Sequence, residues 1–463
     1  MAEHEYDLII IGSGPGGYVA AIRAGQLGLK VAVVEKDPKF GGTCLHRGCI
    51  PTKALLHTAS VLDEIRHAGG LGIQVGDPQL DLDKAHQRKQ KVVDKNAGGV
   101  QFLFKKNNVK GIHGFGRIVG KNEVEVDDGK GKSVYTTANI LIATGSVPRD
   151  LPFAPVDGEK VINSDHMLKV PKVPKTLAVL GAGAVGTEFA SIFTSFGSEV
   201  TLLEMLPRLL PLEDEEVSSE LAKAFRKRGI KSLTGTKLKA VETTETGVKL
   251  DLEGADPLEA EMLLVAVGRG PVTDNIGLDA VGLTTEKGYL QTNEMMQTAV
   301  DNIYAIGDVV VAGPWLAHKA SAEGILAVEH MAGHATRPLD YGKVPSVVYT
   351  DPEVGSVGLT EAAAKEAGYE VAIGKFPFSA SGKAAIEGKT VGFVKVVRDK
   401  KYDELLGVHI IGPHATDLIA EACVALSVET TTEELFRTVH AHPTLAESVM
   451  EAAHASHGAA IHF

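Results

Sequence analysis

The pattern G-x-G-x-x-G occurs twice in this chain, each time after a short apolar run and before a helix-like segment. The two runs, residues 6–11 and 176–180, are typical of buried parallel strands. The six glycines are Gly12, Gly14, Gly17, Gly181, Gly183 and Gly186. Glycines at this spacing allow a tight turn and a close approach of the backbone to a pyrophosphate at a helix N-terminus. The repeat therefore predicts an α/β chain with two Rossmann-like dinucleotide-binding units.

An acidic residue ends the second strand of each unit. Glu35 follows Gly17 and Glu204 follows Gly186 by the same interval (35 − 17 and 204 − 186). A carboxylate at that interval accepts the ribose hydroxyls of a dinucleotide. Glu204 favours NAD over NADP because a 2′-phosphate would meet a like charge, although the nearby Arg208 weakens that preference. Two sites suggest that electrons pass between two cofactors; the alternative is a duplicated fold with one working site.

Residues 41–53, G-G-T-C-L-H-R-G-C-I-P-T-K, contain two of the three cysteines of the chain. Pro51 suits the first position of a helix, where its missing N–H has no cost. Cys49 would then lie at the helix N-terminus, where the unpaired N–H groups and the dipole favour a thiolate. With Cys44 close by, the segment has the residues that redox chemistry needs.

Three interpretations of this cysteine pair are open from the residues alone. The pair is a redox disulfide that exchanges with substrate thiols, or a zinc site completed by His46 and His57, or two inert buried thiols. A closed zinc site needs four ligands at a firm spacing, and the sequence has no such signature. The position just after a dinucleotide-binding unit favours the redox disulfide. Cys423, in an Ala-rich helical run, is expected to be a core residue.

Lys53 and Glu188 each fall near the start of a predicted helix. A cation is mildly disfavoured at a helix N-terminus, so Lys53 is expected to have a partner or a functional role. An acidic side chain is favoured near a helix N-terminus by the helix dipole alone, and this is the simpler explanation for the presence of Glu188. We predict that the two form a buried ion pair that touches a cofactor.

A histidine and a carboxylate lie close together in H-A-H-P-T-L-A-E, residues 440–447. Thiol exchange needs a base to generate a thiolate, and the ordinary pKa of histidine, about 6.5, suits that role. His442 is preferred over His440, with Glu447 holding its tautomer. The alternative is that Thr444 and Glu447 only form a capping box for a helix.

Length and composition limit the remaining possibilities. The 463 residues predict about three domains of roughly 150 residues each. From about residue 345 the sequence pattern changes, with β-type segments within 391–411 and helical patterns at 415–427 and 444–455. This change predicts a separate α+β domain. The formal charge of −12 argues against nucleic-acid binding. No apolar run reaches the roughly 18 residues of a membrane span, and no targeting segment is visible, so a cytoplasmic location is expected.

These motifs together resemble the pyridine-nucleotide disulfide oxidoreductases, and the resemblance extends along essentially the whole chain. The motifs that carry it are G-S-G-P-G-G-Y-V-A-A-I, G-G-T-C-x-x-x-G-C-I-P-T-K, A-T-G-S, G-A-G-x-V-G-x-E, A-I-G-D, Y-T-D-P-E-V and H-A-H-P-T-x-x-E. The resemblance implies FAD on the first unit, NAD on the second and a homodimer formed by the C-terminal domain. The implied domains are 1–150 (FAD-binding), 151–275 (NAD-binding), 276–345 (a central segment completing the FAD site) and 346–463 (the dimerisation interface).

The resemblance also implies a role for each candidate residue. Cys49 would lie against the flavin, and Cys44 would exchange with a dithiol substrate. Lys53 and Glu188 would pair near flavin N5, and Asp308 would hold the ribityl chain. The base would be His442, oriented by Glu447 and serving the disulfide of the partner subunit. Further implied cofactor-binding positions are Thr144, Gly145, Gly268, Arg269 and His318.

The implied reaction is the oxidation of protein-bound dihydrolipoyl groups to lipoyl groups by NAD⁺, in the shared dehydrogenase component of 2-oxoacid dehydrogenase complexes. The partners would be lipoyl-bearing acyltransferases or carrier proteins, with the acidic net charge suited to a basic docking segment, and no metal is implied. A glutathione-reductase-like enzyme would normally have basic residues where Glu204 lies. A mercuric-reductase-like enzyme would have a C-terminal cysteine pair, which the tail G-A-A-I-H-F lacks. A non-catalytic flavin-binding scaffold is the alternative from another class.

Two positions depart from the family pattern. His46 and Arg47 stand between the cysteines where many relatives have Asn-Val, and we expect them to affect the potential of the disulfide or access to it. Val272 stands where an asparagine is common, and the sequence alone does not explain this change.

Overall fold

The computed structural model describes residues 4–463 and has the mixed α/β fold that the sequence predicts. The strands are β1 Tyr6–Ile11, β2 Val31–Glu35, β3 Lys110–His113, β4 Phe115–Gly120, β5 Glu123–Asp127, β6 Lys132–Ile142, β7 Ser146–Pro148, β8 Val161–Asn163, β9 Thr176–Leu180, β10 Glu199–Glu204, β11 Lys231–Thr234, β12 Leu238–Thr243, β13 Val248–Leu252, β14 Leu258–Ala260, β15 Met262–Val265, β16 Arg269–Pro271, β17 Ile303–Ala305, β18 Ser346–Val348, β19 Glu353–Gly358, β20 Val371–Pro377, β21 Phe393–Asp399 and β22 Leu405–Gly412.

The α-helices differ widely in length, and the longest lie in the first third of the chain. They are α1 Pro15–Gln26, α2 Gly42–Arg47, α3 Cys49–His67, α4 Leu82–Lys106, α5 Ser164–Met167, α6 Ala184–Phe196, α7 Glu215–Lys227, α8 Ala317–Met331, α9 Glu361–Glu366, α10 Gly382–Glu387, α11 Ala415–Ser427, α12 Thr432–Arg437 and α13 Glu447–Ser456. Within the described part of the chain, no helix is both long enough and apolar enough to cross a membrane.

The described residues form two compact units. The first comprises the chain up to Ala54, Asp83–Arg149 and Gly268–Tyr341, and the second comprises Leu55–Leu82, Asp150–Val267 and Gly342–Phe463. The finer division into four domains stays a prediction.

The first unit is built on a seven-stranded sheet in the order β3-β2-β1-β6-β5-β4, with β17 also paired to β6. Strands β1, β2, β3, β6 and β17 pair in parallel. Five of the six residues of β1 are buried, as expected for a strand covered on both faces. Pro15 begins α1, where its missing N–H needs no partner, and the helix packs its small residues under the sheet.

The second unit contains a parallel sheet in the order β11-β10-β9-β15-β8 and a small antiparallel sheet, β12-β13-β14. Its C-terminal part is an antiparallel sheet in the order β18-β19-β22-β21-β20. Helices α11 and α13 bury their apolar faces on that last sheet, in a core that includes Phe378, Val408 and Val449. Thus one nucleotide-type fold and the C-terminal α+β fold belong to the same compact unit.

The sequence predicted several elements with correct bounds, shifted the starts of others and left many unassigned. Strands β1, β2 and β9 and helix α11 have the predicted bounds. Helix α3 begins at Cys49 rather than at Pro51, and α13 begins at Glu447 rather than at 444. Helix α2, which contains Cys44, was not predicted, because six residues between glycines show no helical periodicity.

Candidate active site

Both glycine patterns form the same tight turn. Gly12 and Gly181 have positive φ angles of 104° and 99°, which side-chain-bearing residues rarely adopt. A Cβ added to Gly17 would lie 2.0 Å from the carbonyl oxygen of Gly12, and one added to Gly186 would lie 1.9 Å from that of Gly181. These four positions therefore require glycine for the fold itself.

The middle glycine of each turn has a different environment. A Cβ added to Gly14 or to Gly183 would meet no protein atom within 4 Å. Each of these glycines immediately precedes a helix, α1 or α6, where backbone N–H groups remain available to a phosphate. The open space beside them fits the pyrophosphate of a bound dinucleotide, which a side chain there would obstruct.

The acid at the end of β2 is bonded to the first turn. Glu35, only 6% exposed, accepts hydrogen bonds at Oε2 from the backbone N–H of Ser13 (3.0 Å) and from Ser13 Oγ (2.5 Å). Its Oε1 accepts the N–H of Asp37 (2.8 Å). Each oxygen of a carboxylate has two acceptor positions, so capacity remains for a ribose hydroxyl.

The acid at the end of β10 repeats this arrangement. Glu204 accepts the N–H of Ala182 at Oε2 (2.8 Å) and the N–H of Leu206 at Oε1 (2.8 Å). Unlike Glu35, it is only half-buried, and exposed apolar side chains lie beside it at Met205 and Leu206. Both predicted ribose-binding acids are therefore held at their turns by the first N–H after the leading glycine.

The two cysteines lie in contact at the junction of α2 and α3. Cys44 lies on α2, and Cys49 is the first residue of the nineteen-residue α3, at its positive end. Both are half-buried thiols, not joined in a disulfide. A hydrogen bond with Cys49, together with burial, raises the pKa of the Cys44 thiol, while the ammonium of Lys53 opposes this rise. The pair has the proximity that a redox disulfide needs.

Tyr18 was not singled out from the sequence, although it lies near this pair. Burial raises the pKa of its phenol, and negative charge on Cys44 and Cys49 raises it further. It follows the first glycine turn directly, on α1. Tyr18 is part of the motif G-S-G-P-G-G-Y-V-A-A-I, but a tyrosine at this position does not by itself indicate a contact with the cysteines.

The two unusual residues between the cysteines are both bonded to the loop after β2. Arg47 Nη2 lies 2.6 Å from Asp37 Oδ2, and His46 Nε2 donates to the carbonyl of Phe40 (2.9 Å). The charge of Arg47 is thus compensated by a carboxylate. These contacts fasten α2 to the loop that starts at Glu35.

Lys53 and Glu188 are each the fifth residue of their helix, α3 and α6, and so lie just past the first turn. Lys53 is half-buried in the first unit. Glu188 is buried in the second unit, where its Oε1 accepts the N–H of Tyr349 (3.0 Å). The ion pair between them stays a prediction.

Ser146, which the sequence reasoning missed, bonds two of the predicted cofactor-binding residues. Its Oγ donates to Asp308 Oδ2 (2.6 Å) and accepts from Arg269 Nε (2.7 Å). Arg269 Nη2 also donates to the carbonyl of Ser146 (2.6 Å). The only sequence signal was its place as the last letter of A-T-G-S.

The contacts of Val272 with the A-T-G-S turn are made by its backbone. Its carbonyl accepts Thr144 Oγ1 (2.5 Å), and its N–H donates to the carbonyl of Gly145 (2.9 Å). Main-chain groups of residue 272 therefore hold the A-T-G-S turn, whatever side chain it carries. Gly268 lies in the same unit with a φ of 104°, just before β16.

His318, the last predicted cofactor-binding residue, is exposed on α8. The next residue begins a buried cluster that the sequence did not indicate. Lys319 Nζ lies 3.2 Å from Glu323 Oε1, with both side chains fully buried, and Tyr341 donates to the same carboxylate (2.7 Å). Glu323 Oε2 accepts the N–H of Gly307 (2.8 Å), so the cluster fixes the backbone that precedes Asp308.

His442 and Glu447 form the predicted histidine–carboxylate pair. His442 Nδ1 lies 2.9 Å from Glu447 Oε1, and the imidazole side chain is 79% exposed. The other oxygen of Glu447 accepts the N–H of Thr444 (2.7 Å), but the two do not form the capping box considered above, because α13 begins at Glu447 with Ala446 as its N-cap. Burial alone would raise the pKa of Glu447, but the bonds from Thr444 and His442 outweigh it and lower the pKa. One carboxylate thus holds both the imidazole of His442 and the backbone of Thr444.

His440, the competing candidate, is engaged at both ring nitrogens. Its Nε2 lies 2.6 Å from Glu421 Oε1, and its Nδ1 donates to the carbonyl of Thr438 (2.7 Å). The side chain is only 7% exposed. Neither nitrogen can reach a substrate, which leaves His442 as the candidate base.

Cys423 is half-buried on α11 and packs against the C-terminal core, and burial raises the pKa of its thiol. Among the residues that the structure describes, no group of three or more His, Cys, Asp or Glu side chains is arranged to hold a metal ion.

Comparisons with known proteins were made with the whole chain. The model of the family described as pyridine nucleotide-disulphide oxidoreductase matches residues 6–324, and that of the family's dimerisation domain matches residues 344–453. The chain is 46% identical over 473 aligned residues to the dihydrolipoyl dehydrogenase of Bacillus subtilis, with 99% of each chain covered. It is 47% identical over 464 residues to that of Thermus scotoductus, covering 99% of this chain and 98% of the relative.

A solved structure gives the same result for the fold. The crystal structure of LpdA from Mycobacterium tuberculosis superposes with a TM-score of 0.91 at 27% identity, covering 96% of this chain and 98% of the other.

Proposed function

Because the chain belongs to the pyridine nucleotide-disulphide oxidoreductase family, we infer that it is an FAD- and NAD-dependent oxidoreductase that converts dihydrolipoyl groups to lipoyl groups. The observation that carries this inference is the identity of 46% and 47% to dihydrolipoyl dehydrogenases over essentially the full length of the chain. FAD belongs to the first glycine turn and NAD to the second. FAD, when bound, supplies a two-electron acceptor between the cysteine pair and NAD⁺.

The chemistry assigned to the cysteines is thiol–disulfide exchange. A thiolate of the substrate attacks Cys44 of the oxidised Cys44–Cys49 pair, the bond between the cysteines breaks, and Cys49 leaves as a thiolate. The second substrate thiol then attacks the mixed disulfide, which releases the lipoyl disulfide and returns Cys44 as a thiol. Two electrons have passed from substrate to the pair. Cys49, at the helix N-terminus, is the better leaving thiolate.

His442 is assigned as the base that takes the proton of the attacking thiol. Glu447 accepts from its Nδ1, which leaves Nε2 as the basic nitrogen facing outward. The large exposure of this imidazole in a single chain supports a role across a subunit interface. We assign the chain to a homodimer in which His442 of the partner subunit serves the Cys44–Cys49 pair.

The remaining assignments concern specificity and setting. Glu204 selects NAD over NADP by charge, and Lys53 with Glu188 forms the ion pair beside the flavin. Residues 1–150 and 276–345 hold FAD, residues 151–275 hold NAD, and residues 346–463 form the dimer interface. The partners are lipoyl groups on acyltransferase or carrier proteins in the cytoplasm, where thiols are kept reduced.

The test is NAD⁺ reduction with dihydrolipoamide by the FAD-loaded protein and its variants. We expect Cys44→Ser and Cys49→Ser to abolish turnover, and His442→Gln to reduce kcat/KM by about 10²–10⁴-fold. The matched control is His462→Gln, because His462 is an imidazole of similar exposure that also pairs with a carboxylate, the buried Glu451 (2.7 Å). That control should stay within about twofold of the wild type.

A second readout does not depend on turnover. After anaerobic addition of dihydrolipoamide without NAD⁺, alkylation and mass spectrometry should find Cys44 and Cys49 reduced in the wild type, and reduced much more slowly in His442→Gln. Turnover with glutathione disulfide and NADPH in preference to the lipoyl pair would overturn the substrate assignment. FAD binding without thiol exchange would identify a scaffold instead of an enzyme.

A further inference from the structure

A buried lysine in the C-terminal sheet is surrounded by three carboxylates, two of them from the second nucleotide-binding fold. Lys395, on β21, is 2% exposed, and its Nζ lies 3.1 Å from both oxygens of Asp214. It also lies 2.8 Å from Glu216 Oε2 and 2.8 Å from Glu361 Oε2. Three carboxylates around one ammonium satisfy all of its N–H groups, and removal of the ammonium would leave Asp214 buried without its cation.

The neighbouring acid is attached to the same sheet. Glu213 accepts Ser346 Oγ from β18 (2.8 Å) and Ser356 Oγ from β19 (2.6 Å). Asp214 is also the N-cap of α7, where its side chain accepts the N–H of Glu216 (3.0 Å). The dipeptide 213–214 is therefore fixed by three strands of the C-terminal sheet.

This dipeptide ends the loop that begins after Glu204 and passes beside the second glycine turn. Within that loop, Leu210 is buried and adopts a positive φ of 44°. Its N–H donates to the carbonyl of Ala182 (2.9 Å), and its own carbonyl accepts the N–H of Glu213 (2.9 Å). Ala182 is the same residue whose N–H holds Glu204.

We propose that Lys395 is a positioning residue for the dinucleotide of the second site, acting through Asp214 and the loop 205–214 on the Ala182 turn. The proposal rests on the assignment of NAD to that turn. An anchored loop keeps Ala182 and Glu204 in the binding geometry before the nucleotide arrives, so less ordering accompanies binding. Loss of the anchor should weaken NAD⁺ binding and leave thiol exchange at the cysteines unchanged.

The test is equilibrium binding of NAD⁺ to the oxidised, FAD-loaded protein by isothermal titration calorimetry. Lys395→Met should raise the Kd of NAD⁺ about tenfold. The KM for dihydrolipoamide and the rate of anaerobic cysteine reduction without NAD⁺ should stay at the wild-type values. A milder variant, Asp214→Asn, keeps the helix cap because Asn caps as well as Asp, and should raise the Kd roughly threefold. It carries the test if Lys395→Met does not fold.

The matched control is Arg398→Met on the same strand. Arg398 is also mostly buried and paired, with Asp403 at 3.3 Å and the carbonyl of Ser456 at 3.0 Å, but neither partner belongs to the loop 205–214. It should lower the melting temperature without changing the Kd of NAD⁺.

Three results would overturn the proposal. An unchanged Kd in both Lys395→Met and Asp214→Asn would remove it and leave the proposed function intact. Equal losses in NAD⁺ binding and in anaerobic cysteine reduction would show general loosening of the fold instead of positioning. A wild-type protein that binds no NAD⁺ would overturn the proposed function, and this proposal with it.

Discussion

The turn at Gly12–Gly17 and the turn at Gly181–Gly186 share one backbone geometry but differ in the residue after the first glycine. In the first turn Ser13 adds a hydroxyl that donates to Glu35 and accepts the N–H of Gly41 (3.0 Å). In the second turn Ala182 has no such group, and its carbonyl is bonded to Leu210 instead. The two turns thus have the same backbone geometry but are hydrogen-bonded to different parts of the chain.

That difference matches the two roles. The Ser13 hydroxyl bonds the N–H of Gly41, so the first turn is joined directly to the start of the segment 41–53 that contains the cysteines. The second turn is bonded to a loop, and its acid Glu204 is half-buried where Glu35 is buried. A more open site suits a nucleotide that must enter and leave at every turnover.

The largest effects are expected at the middle glycines. Gly14→Ala and Gly183→Ala add a methyl group where no protein atom lies within 4 Å, so both variants should keep the melting temperature of the wild-type apoprotein. The methyl group would instead meet the bound dinucleotide, at a cost of about 1–3 kcal/mol, which is roughly tenfold to a hundredfold in Kd. Gly14→Ala should lose FAD, and Gly183→Ala should lose NAD⁺ alone, as measured by flavin content and calorimetry. A loss of both cofactors in either variant would contradict the comparison.

The acids should differ in what they select. Glu204→Gln removes the charge that opposes a 2′-phosphate, so the ratio of kcat/KM for NAD⁺ to that for NADP⁺ should fall about tenfold. Steady-state kinetics with both nucleotides provide the measurement, with the exposed Glu245→Gln as a control that leaves the ratio unchanged. A ratio unaltered in Glu204→Gln would assign the discrimination to other residues.

Exchanging the residues that distinguish the turns should have a moderate effect. Ser13→Ala removes the hydrogen bond from the hydroxyl to the buried Glu35 and the one from the N–H of Gly41, and should destabilise the first unit by about 1–3 kcal/mol. Flavin release during urea titration reports the change. In the reciprocal variant, Ala182→Ser, the new hydroxyl lies in the second turn and not in the turn assigned to FAD. Flavin retention should therefore be unaltered. If Ser13→Ala retains FAD as the wild type does, the hydroxyl is not what joins the turn to the segment 41–53.

The smallest effect concerns pH at the anchor of the second turn. His409 is the cross-strand neighbour of Lys395, its Nε2 donates to the carbonyl of Leu359 (3.0 Å), and its buried Nδ1 has no hydrogen-bond partner. Burial lowers the pKa of His409, and Lys395 adds to the fall, although Leu359 and the charges of Asp214 and Glu213 oppose it.

Because the folded pKa lies below the unfolded value of about 6.5, the unfolded chain binds the extra proton first. Stability is therefore complete above about pH 6.5 and declines as the pH falls below it, by at most about 1.4 kcal/mol per pH unit. Urea unfolding at pH 7.5, 6.5 and 5.5 should show this decline, and His409→Gln should flatten it. The exposed His334→Gln serves as control and should keep the wild-type slope; an equal slope in His409→Gln would exclude the buried imidazole as the cause.

The sequence predicted correctly those features whose geometry is determined by a local pattern of residues. The glycine turns, Glu35 and Glu204 follow from the steric and hydrogen-bonding needs of a βαβ unit, which recur whatever the surroundings. The pairing of His442 with Glu447 was open from the residues alone, because both a catalytic pair and a capping box fit the spacing. In the structure one oxygen of Glu447 bonds His442 and the other bonds the N–H of Thr444, but α13 begins at Glu447, so the capping box does not form.

The features that the sequence left out depend on contacts between distant parts of the chain. Ser146, Tyr18 and the Lys395 cluster have partners tens to hundreds of positions away, and no periodic pattern marks them. Arg47 was expected to act on the disulfide as a cation. Its contact with Asp37 compensates that charge. The sequence does not indicate this ion pair, because it depends on the path of the loop after β2.

The two-sided use of Glu447 also restricts how this position can change during evolution. A glutamine offers one acceptor oxygen and one amide donor, so in either orientation either the Thr444 N–H or the His442 N–H would face a donor. An aspartate is one methylene shorter and would have to move the helix start to reach both. Substitution of Glu447 by a chemically similar residue is therefore disfavoured, because the carboxylate that would hold the proposed base also holds the backbone N–H of Thr444 just before α13.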